Sequence, residues 1–334
     1  MKLFNMDLHI SVIADFKNLF PEFDITDWCL SGHHWVFQKA QFAPKVINST
    51  TWKNMDPTMI AAFQTEYDIF LKQFDGFICG HPNSFIQIFE KYGKPIIMIN
   101  SCRYDMPFCW SKNYKMLQSY KDCLTRLNKK GLLVAVSNNK ADQEYTRLAS
   151  GIETNHIPSL CNYTGIKYNP TKNSFLGWGN FPEHALITPK SQLGSPYKWS
   201  DISSFKGVAI LPYEISTMSM FEFFSAGIPM FFPSKKLMVD NFNIQSVSEY
   251  WGNDLPSELS VFSTKAKWLE YADFYHVFKS PNVYIYESFE HLILLMDNFI
   301  WKDDSDILIN YKINIRNSWV KLINPVFKTD LQTA

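Results

Sequence analysis

The chain has little that would tie it to a bilayer, a metal cluster or a polyanion. Its 334 residues contain no apolar run approaching the roughly 18 that a membrane span requires, so none is predicted. The first residues lack a long apolar core ending in small side chains, and no secretory leader is expected from them. The six cysteines include no C-x-x-C pair, which argues against a zinc ribbon. Cys79 sits in an apolar run, as a buried thiol would, and a reducing, cytoplasmic setting is the simpler expectation. An excess of one charge is missing too. Lys+Arg and Asp+Glu both number 32, which leaves no footprint for sequence-independent nucleic-acid binding. No internal repeat or low-complexity tract is present.

What is abundant is apolar and aromatic. Apolar residues make up 46% of the chain and aromatics 16%, with 28 phenylalanines, enough for sizeable cores and for an aromatic-lined cleft. The length suggests two domains. Short apolar runs alternate with helical patterns, which predicts parallel α/β sheets. In the first half the expected strands are Leu8–Ile13, 22–30, Gly76–Cys79, Pro95–Ile99 and Leu132–Val136. Helices are expected over 58–74, from an N-cap at Ser84 to a stop at Gly93, over 113–129, and from a cap at Asn138 to Gly151. In the second half the strands are Ile157–Ser159, Phe175–Gly177, Val208–Leu211, Pro229–Phe232 and Val283–Tyr286, with helices at 264–276, 288–300 and 306–323. The polar stretch 161–173 reads as a linker. The expected fold class is therefore α/β: two doubly wound Rossmann-like domains facing a central cleft. The domains are 1–152 and 153–310, with 311–334 as a C-terminal helix available to pack back on the first.

The stretch 207–234 organises the rest. It reads as strand, loop, short helix, tight turn and strand, a βαβ unit with both strands buried. Glu214 then lies just past a strand's carboxyl end, where open α/β sheets bind ligands. Glu222 stands eight positions on, followed by Ser225-Ala226-Gly227-Ile228-Pro229. This pattern resembles the signature of retaining GT-B glycosyltransferases of the "group 1" type, in which a second Glu opens a helix leading to a G-x-P strand. The region 132–160 is similar to that family's domain crossing. Two features depart from the pattern. Ile215-Ser216-Thr217 replaces a Pro-Phe-Gly, and Ile13-Ala14-Asp15 stands where a glycine-rich loop belongs.

The resemblance implies transfer of a sugar from a nucleotide-sugar donor to a glycan or other hydroxyl acceptor, with retention and without metal. It implies that Glu222 holds ribose hydroxyls, that Glu214 contacts the transferred sugar, and that His81, which follows a buried strand, approaches the reacting end. The amides of Ser216, Thr217, Met218 and Ser219 at a helix start suit a diphosphate. Trp178 is expected to stack on the donor, and Lys190 or Lys172 to neutralise it. His33 and His34 are the acceptor-side candidates, and no metal or other cofactor is expected. Peripheral membrane association is left open.

Ordinary alternatives stand beside these. Ser219-x-x-Glu222 fits a capping box. Glu214 fits a solvated loop, His81 a turn histidine, and His9 a satisfied histidine inside the first strand. Asp304-Ser305-Asp306 reads as a helix start rather than a metal site. The rival functions are a nucleotide-sugar 2-epimerase and a non-catalytic carbohydrate- or nucleotide-binding protein.

Overall fold

The computed structural model describes residues 1–37, 40–194, 196–244, 247, 251 and 254–333. The chain divides into two compact units. The first comprises Met1–Ser159, Tyr250–Leu259 and Ile315–Ala334, and the second Leu160–Glu249 and Ser260–Asn314. Each is built on its own all-parallel sheet, and the chain is an α/β protein of two Rossmann-like units.

In the first unit the strands are β1 (Lys2–Asp7), β2 (Asp24–Cys29), β3 (Gly76–Cys79), β4 (Ile96–Asn100), β5 (Leu133–Ser137) and β6 (Asn155–His156), in the order β2-β1-β3-β4-β5-β6. Its helices are α1 (Ile10–Leu19), α2 (Pro57–Glu66), α3 (Asp68–Leu71), α4 (Ile86–Phe89), α5 (Tyr114–Lys129) and α6 (Lys140–Ser150). In the second unit the strands are β7 (Phe175–Trp178), β8 (Ile187–Pro189), β9 (Val208–Ile210), β10 (Met230–Pro233) and β11 (Val283–Tyr286), in the order β11-β10-β9-β7-β8. The helices there are α7 (Trp199–Ser203), α8 (Met218–Ser225), α9 (Lys235–Asn241), α10 (Lys265–Leu269), α11 (Asp273–His276) and α12 (Phe289–Asp297). The last helix, α13 (Ser305–Phe327), has its residues from Ile315 onward in the first unit.

Both strand orders reverse direction once. Chain progress runs from β1 out to β2 and then back past β1 to β3. It runs from β7 out to β8 and back past β7 to β9. At such a switch point the crossovers leave to opposite faces of the sheet and open a crevice at the carboxyl ends of the two strands. Topology alone therefore singles out the ends of β1/β3 and of β7/β9.

The first strand lies earlier than its hydrophobic pattern suggests. The expected strand Leu8–Ile13 is in fact the loop after β1 and the start of α1. The real strand, KLFNMD, buries Asn5 and Asp7, and Asn5 Nδ2 donates to Asp27 Oδ1 of β2 (2.8 Å). The helix expected over 58–74 breaks at Tyr67, whose φ of −112° and ψ of 14° leave the helical well. That over 264–276 breaks at extended Ala272, and the next amide, of Asp273, bonds Ile215 O in the loop after β9 (2.9 Å). Asn139 rather than Asn138 caps α6, by accepting from Asp142 N. Ser84 lies within a 3-10 turn and caps nothing, whereas Gly93 and Gly151 stop their helices as expected. The final strand of the first sheet is Asn155–His156, not Ile157–Ser159.

Cores follow from the apolar strands. Phe175, Ala209, Phe231, Tyr286, Leu292 and Met296 form the heart of the second unit. In the first, Trp319 of α13 meets Phe16 of α1 edge-on, with ring centroids 5.3 Å apart. A buried polar network ties β4, α6 and the turn after β3 together. Asn100 Nδ2 donates to Thr146 Oγ1 (2.8 Å) and Asp142 O (3.3 Å), and its Oδ1 accepts from Asn83 (3.2 Å). Among the described residues no helix is long and apolar enough to cross a membrane.

Asn100 is fully buried, so Asn100→Ala would strand several polar groups away from water. The variant should lose about 2–4 kcal/mol in urea denaturation, several times the effect of removing an exposed asparagine.

Candidate functional site

At the β7/β9 switch point the strand ends carry the donor-side candidates. Trp178 closes β7, opposite Ile210 of β9. Lys190 follows β8 directly, and its ammonium sits 3.5 Å from the centroid of the Trp178 ring and 5.5 Å from that of Tyr197. Burial holds the Lys190 pKa below the usual lysine value. No carboxylate pairs with this ammonium among the described ion pairs. A half-buried cation with aromatic faces for company is poised for an anion from solution.

Beyond β9 the chain turns through Leu211–Thr217 into α8. Thr217 is the N-cap in extended geometry, and its hydroxyl lies 3.1 Å from that of Ser219. Ser216 precedes it, and Met218 turns its side chain into the core. Glu214 is buried rather than solvated, and its Oε2 accepts from the Ile215 amide (3.1 Å). Glu222 caps nothing. Its Oε1 accepts from Tyr163 Oη (2.5 Å) and its Oε2 from Trp199 Nε1 (3.1 Å). Burial raises its pKa, and those two bonds pull it partly back. Each carboxylate oxygen keeps acceptor capacity for a further hydroxyl. The fold thus gathers Trp178, Lys190, Glu214, Ser216, Thr217, Met218, Ser219 and Glu222 on one unit.

Sequence reasoning missed Tyr163, Tyr197 and Trp199. Tyr163 belongs to the stretch read as a linker, which instead packs on α8. The pair Tyr197-x-Trp199 carries no period that could have marked it. Lys172, the second cation candidate, lies over the Phe205 ring at 3.8 Å and is not part of the group around Trp178.

The β1/β3 switch point of the first unit is a second, separate constellation. Asp7 ends β1 and is 1% exposed, which makes it an anchor rather than a surface charge. Its Oδ1 accepts from the His9 amide and its Oδ2 from the His81 amide (3.2 Å). The carboxylate reaches that position because residue 80 is glycine: a Cβ there would lie 2.2 Å from Asp7 Oδ2. His9 is not inside a strand; it precedes α1, with its ring centroid 6.5 Å from that of His81. Among the described residues the Nδ1 atoms of both histidines are buried without a hydrogen-bond partner. His33 is exposed and His34 half-buried, in the loop after β2 next to β1, where the His34 ring meets Ser31 O (3.2 Å). Burial drives the His81 pKa down to about 3, with the His9 and Arg103 charges adding to the effect, and burial lowers that of His9 too. At neutral pH both imidazoles are uncharged, and their lowered pKa values make them weaker bases than a free imidazole.

No protein-family model matches the chain, and no curated protein does. Among solved structures, it is similar to HepE from Anabaena in complex with UDP and glucose, at 9% identity and a TM-score of 0.43, covering 81% of this chain and 94% of that one. It is also similar to UGT73P12 from Glycyrrhiza uralensis complexed with glycyrrhetinic acid 3-O-monoglucuronide, at 8% identity and a TM-score of 0.41, covering 95% and 91%. A third is the glycosyltransferase SnogD from Streptomyces nogalater, at 8% identity and a TM-score of 0.39, covering 96% and 95%. Scores this low leave the fold to be read from the chain's own two sheets.

The buried imidazoles have a measurable consequence. The folded His81 pKa of about 3 lies below the ordinary histidine value of 6.5, so between these values the unfolded chain binds a proton that the folded one refuses. The stability from this group is fully present above about pH 6.5 and is lost as pH falls toward 3. In urea titrations from about pH 7 to 4, His81→Asn should flatten the fall in stability by up to about 1.4 kcal/mol per pH unit. Parallel curves for the two proteins would contradict the assignment.

Proposed function

We propose that the protein is a glycosyltransferase that moves a sugar from a nucleotide-sugar donor to a glycan or other hydroxyl acceptor. The observation that carries this reading is the half-buried Lys190 ammonium, held on Trp178 and Tyr197 at the ends of β7 and β8, with Glu222 near enough to Tyr197 to add to the rise that burial gives that phenol's pKa. A nucleotide sugar presents what this site lacks: an anion for Lys190, a flat base or sugar face for Trp178, and vicinal hydroxyls for Glu222. In this reading the amides at the start of α8, from Ser216 to Ser219, and Lys190 take the charge of the departing diphosphate. That role needs no metal or other cofactor.

Glu214 then contacts the transferred sugar and the neutral His81 approaches the reacting end as a hydrogen-bond partner, with Asp7 fixing the backbone from which the imidazole projects. His33 and His34 are the acceptor-side groups. Retention of the anomeric configuration rests on the likeness of the 214–229 stretch to retaining enzymes. A buried, amide-bonded Glu214 suits a positioned electrostatic role better than that of a solvated loop residue.

Thermal-shift titration with UDP-, GDP- and dTDP-sugars should raise the melting temperature with one nucleotide preferred, because a ligand of the folded state stabilises it by mass action. Lys190→Ala should weaken that nucleotide about 10- to 100-fold, the worth of a charge-assisted contact. Glu222→Gln and Glu214→Gln should each lower transfer to a glycan acceptor strongly, and two fully active variants would end the proposal. Incubation with donor alone, followed by NMR, separates transfer from epimerisation, since an epimerised donor without acceptor would identify an epimerase instead.

A further inference from the structure

The second unit holds another cavity, of about 530 Å³. It lies at the far end of α8, around Ser225, Ala226 and Gly227, whereas the residues considered above surround that helix's start and the strand ends that feed it. Its volume falls in the range of small-molecule sites, roughly 300–1,000 Å³.

The walls are fixed by buried polar groups. Tyr168 is tied at both ends: its amide donates to Ala226 O (2.7 Å) and its hydroxyl to Lys206 O (2.9 Å). Trp301 lies against it, ring centroids 6.1 Å apart and planes 30° from parallel. The residue after Trp301 is pinned by Asn282, itself 2% exposed, which donates to Lys302 O (2.7 Å) and accepts from the Lys302 amide (3.0 Å). Asp304, 6% exposed, accepts from Ser280 Oγ. Gly227 forms the floor. Its φ of +72° is a left-handed conformation, and an added Cβ would meet Leu308 Cδ1 at 3.4 Å, so a side chain there would both strain the turn and fill the cavity.

The lining chemistry is specific. Lys167 and Lys312 enter from two different elements, and both are exposed, so each can follow an anion without a desolvation cost. Asn162 and Ser305 supply hydroxyl-sized polar contacts. The two aromatic rings pack on each other rather than facing each other across the gap. They therefore present a single flat face, which suits one face of a sugar ring better than a planar base that could be sandwiched.

We infer that this cavity is a separate binding site for a sugar phosphate, with the ring on Trp301 and the phosphate between Lys167 and Lys312. The inference does not depend on glycosyl transfer at the other end of α8.

The test is calorimetric titration of the full chain with glucose 1-phosphate, and with glucose and inorganic phosphate as separate arms. Sugar phosphate should bind tighter than either part. Trp301→Ala should weaken it about tenfold or more, with Trp301→Phe retaining most of the affinity. The double variant Lys167→Ala/Lys312→Ala should weaken it by a similar factor and abolish its salt dependence. All three variants alter exposed or half-exposed side chains, and circular dichroism verifies that each is folded. Lys190→Ala, at the other end of α8, should leave this binding unchanged. The inference is overturned if glucose 1-phosphate does not bind, or if inorganic phosphate binds equally well and ignores Trp301. It is also overturned if Lys190→Ala rather than Trp301→Ala removes the binding.

Discussion

One carboxylate holds the second unit's site in register. Glu222 accepts from Tyr163 in the segment entering the unit and from Trp199 at the start of α7, so three stretches far apart in sequence meet at its two oxygens. A half-buried carboxylate without such donors would be costly, and with them it becomes a fixed point. The helix it belongs to is only eight residues long and has no side-chain cap of its own. It owes its placement to this clasp and to the apolar side chains of Met218, Met220, Phe221, Phe223 and Phe224 that it buries. With α8 fixed, its first amides face the carboxyl ends of β7 and β9, and Phe223 supports Trp178 edge-on at 5.0 Å. The cation–aromatic stack of Lys190 on Trp178 is built on that support.

The first unit uses the same logic with the sign of the partners changed. There a buried aspartate at the end of β1 organises backbone amides, and neutral imidazoles rather than a lysine occupy the strand ends. The two switch points thus differ in character. One offers a cation and a carboxylate, and the other two buried, uncharged imidazoles. This difference follows from the residues at and just after the ends of β1, β3, β7 and β8.

Much of the architecture was legible in the sequence because the central strands are uninterrupted apolar runs. Ile96–Asn100, Leu133–Ser137, Val208–Ile210 and Met230–Pro233 are buried throughout, and their period leaves no other assignment. The first strand was not legible, for the complementary reason. β1 buries Asn5 and Asp7, while the following helix opens with Ile10, Val12 and Ile13, so hydrophobicity marks the wrong segment. β8 has three residues and ends in proline, too short to register. At the site, Glu214 and Trp178 could be picked out by their position after strands, Glu222 by its spacing from Glu214 and Lys190 only as a nearby cation, but their partners could not. Tyr163 and Trp199 reach Glu222 through tertiary packing, and Asp7 reaches His81 across 74 residues. Local pattern carries no trace of such contacts. The capping box read at Ser219 and Glu222 is out of register because the helix starts at Met218 with Thr217 as its N-cap, and the Glu222 carboxylate bonds the phenol and indole instead.

The tight approach at Gly80 has a consequence for how this chain can vary. A methyl group there would occupy the space of an Asp7 oxygen, so the identity of residue 80 is set by residue 7, seventy-odd positions away. Any related chain with a side chain at the equivalent of Gly80 must have shortened or withdrawn the acid at the end of its first strand. It would then have lost the acceptor for the backbone on either side of its histidines. The two positions form a single inherited unit, and a comparison of natural variants can treat their joint state as one character rather than two.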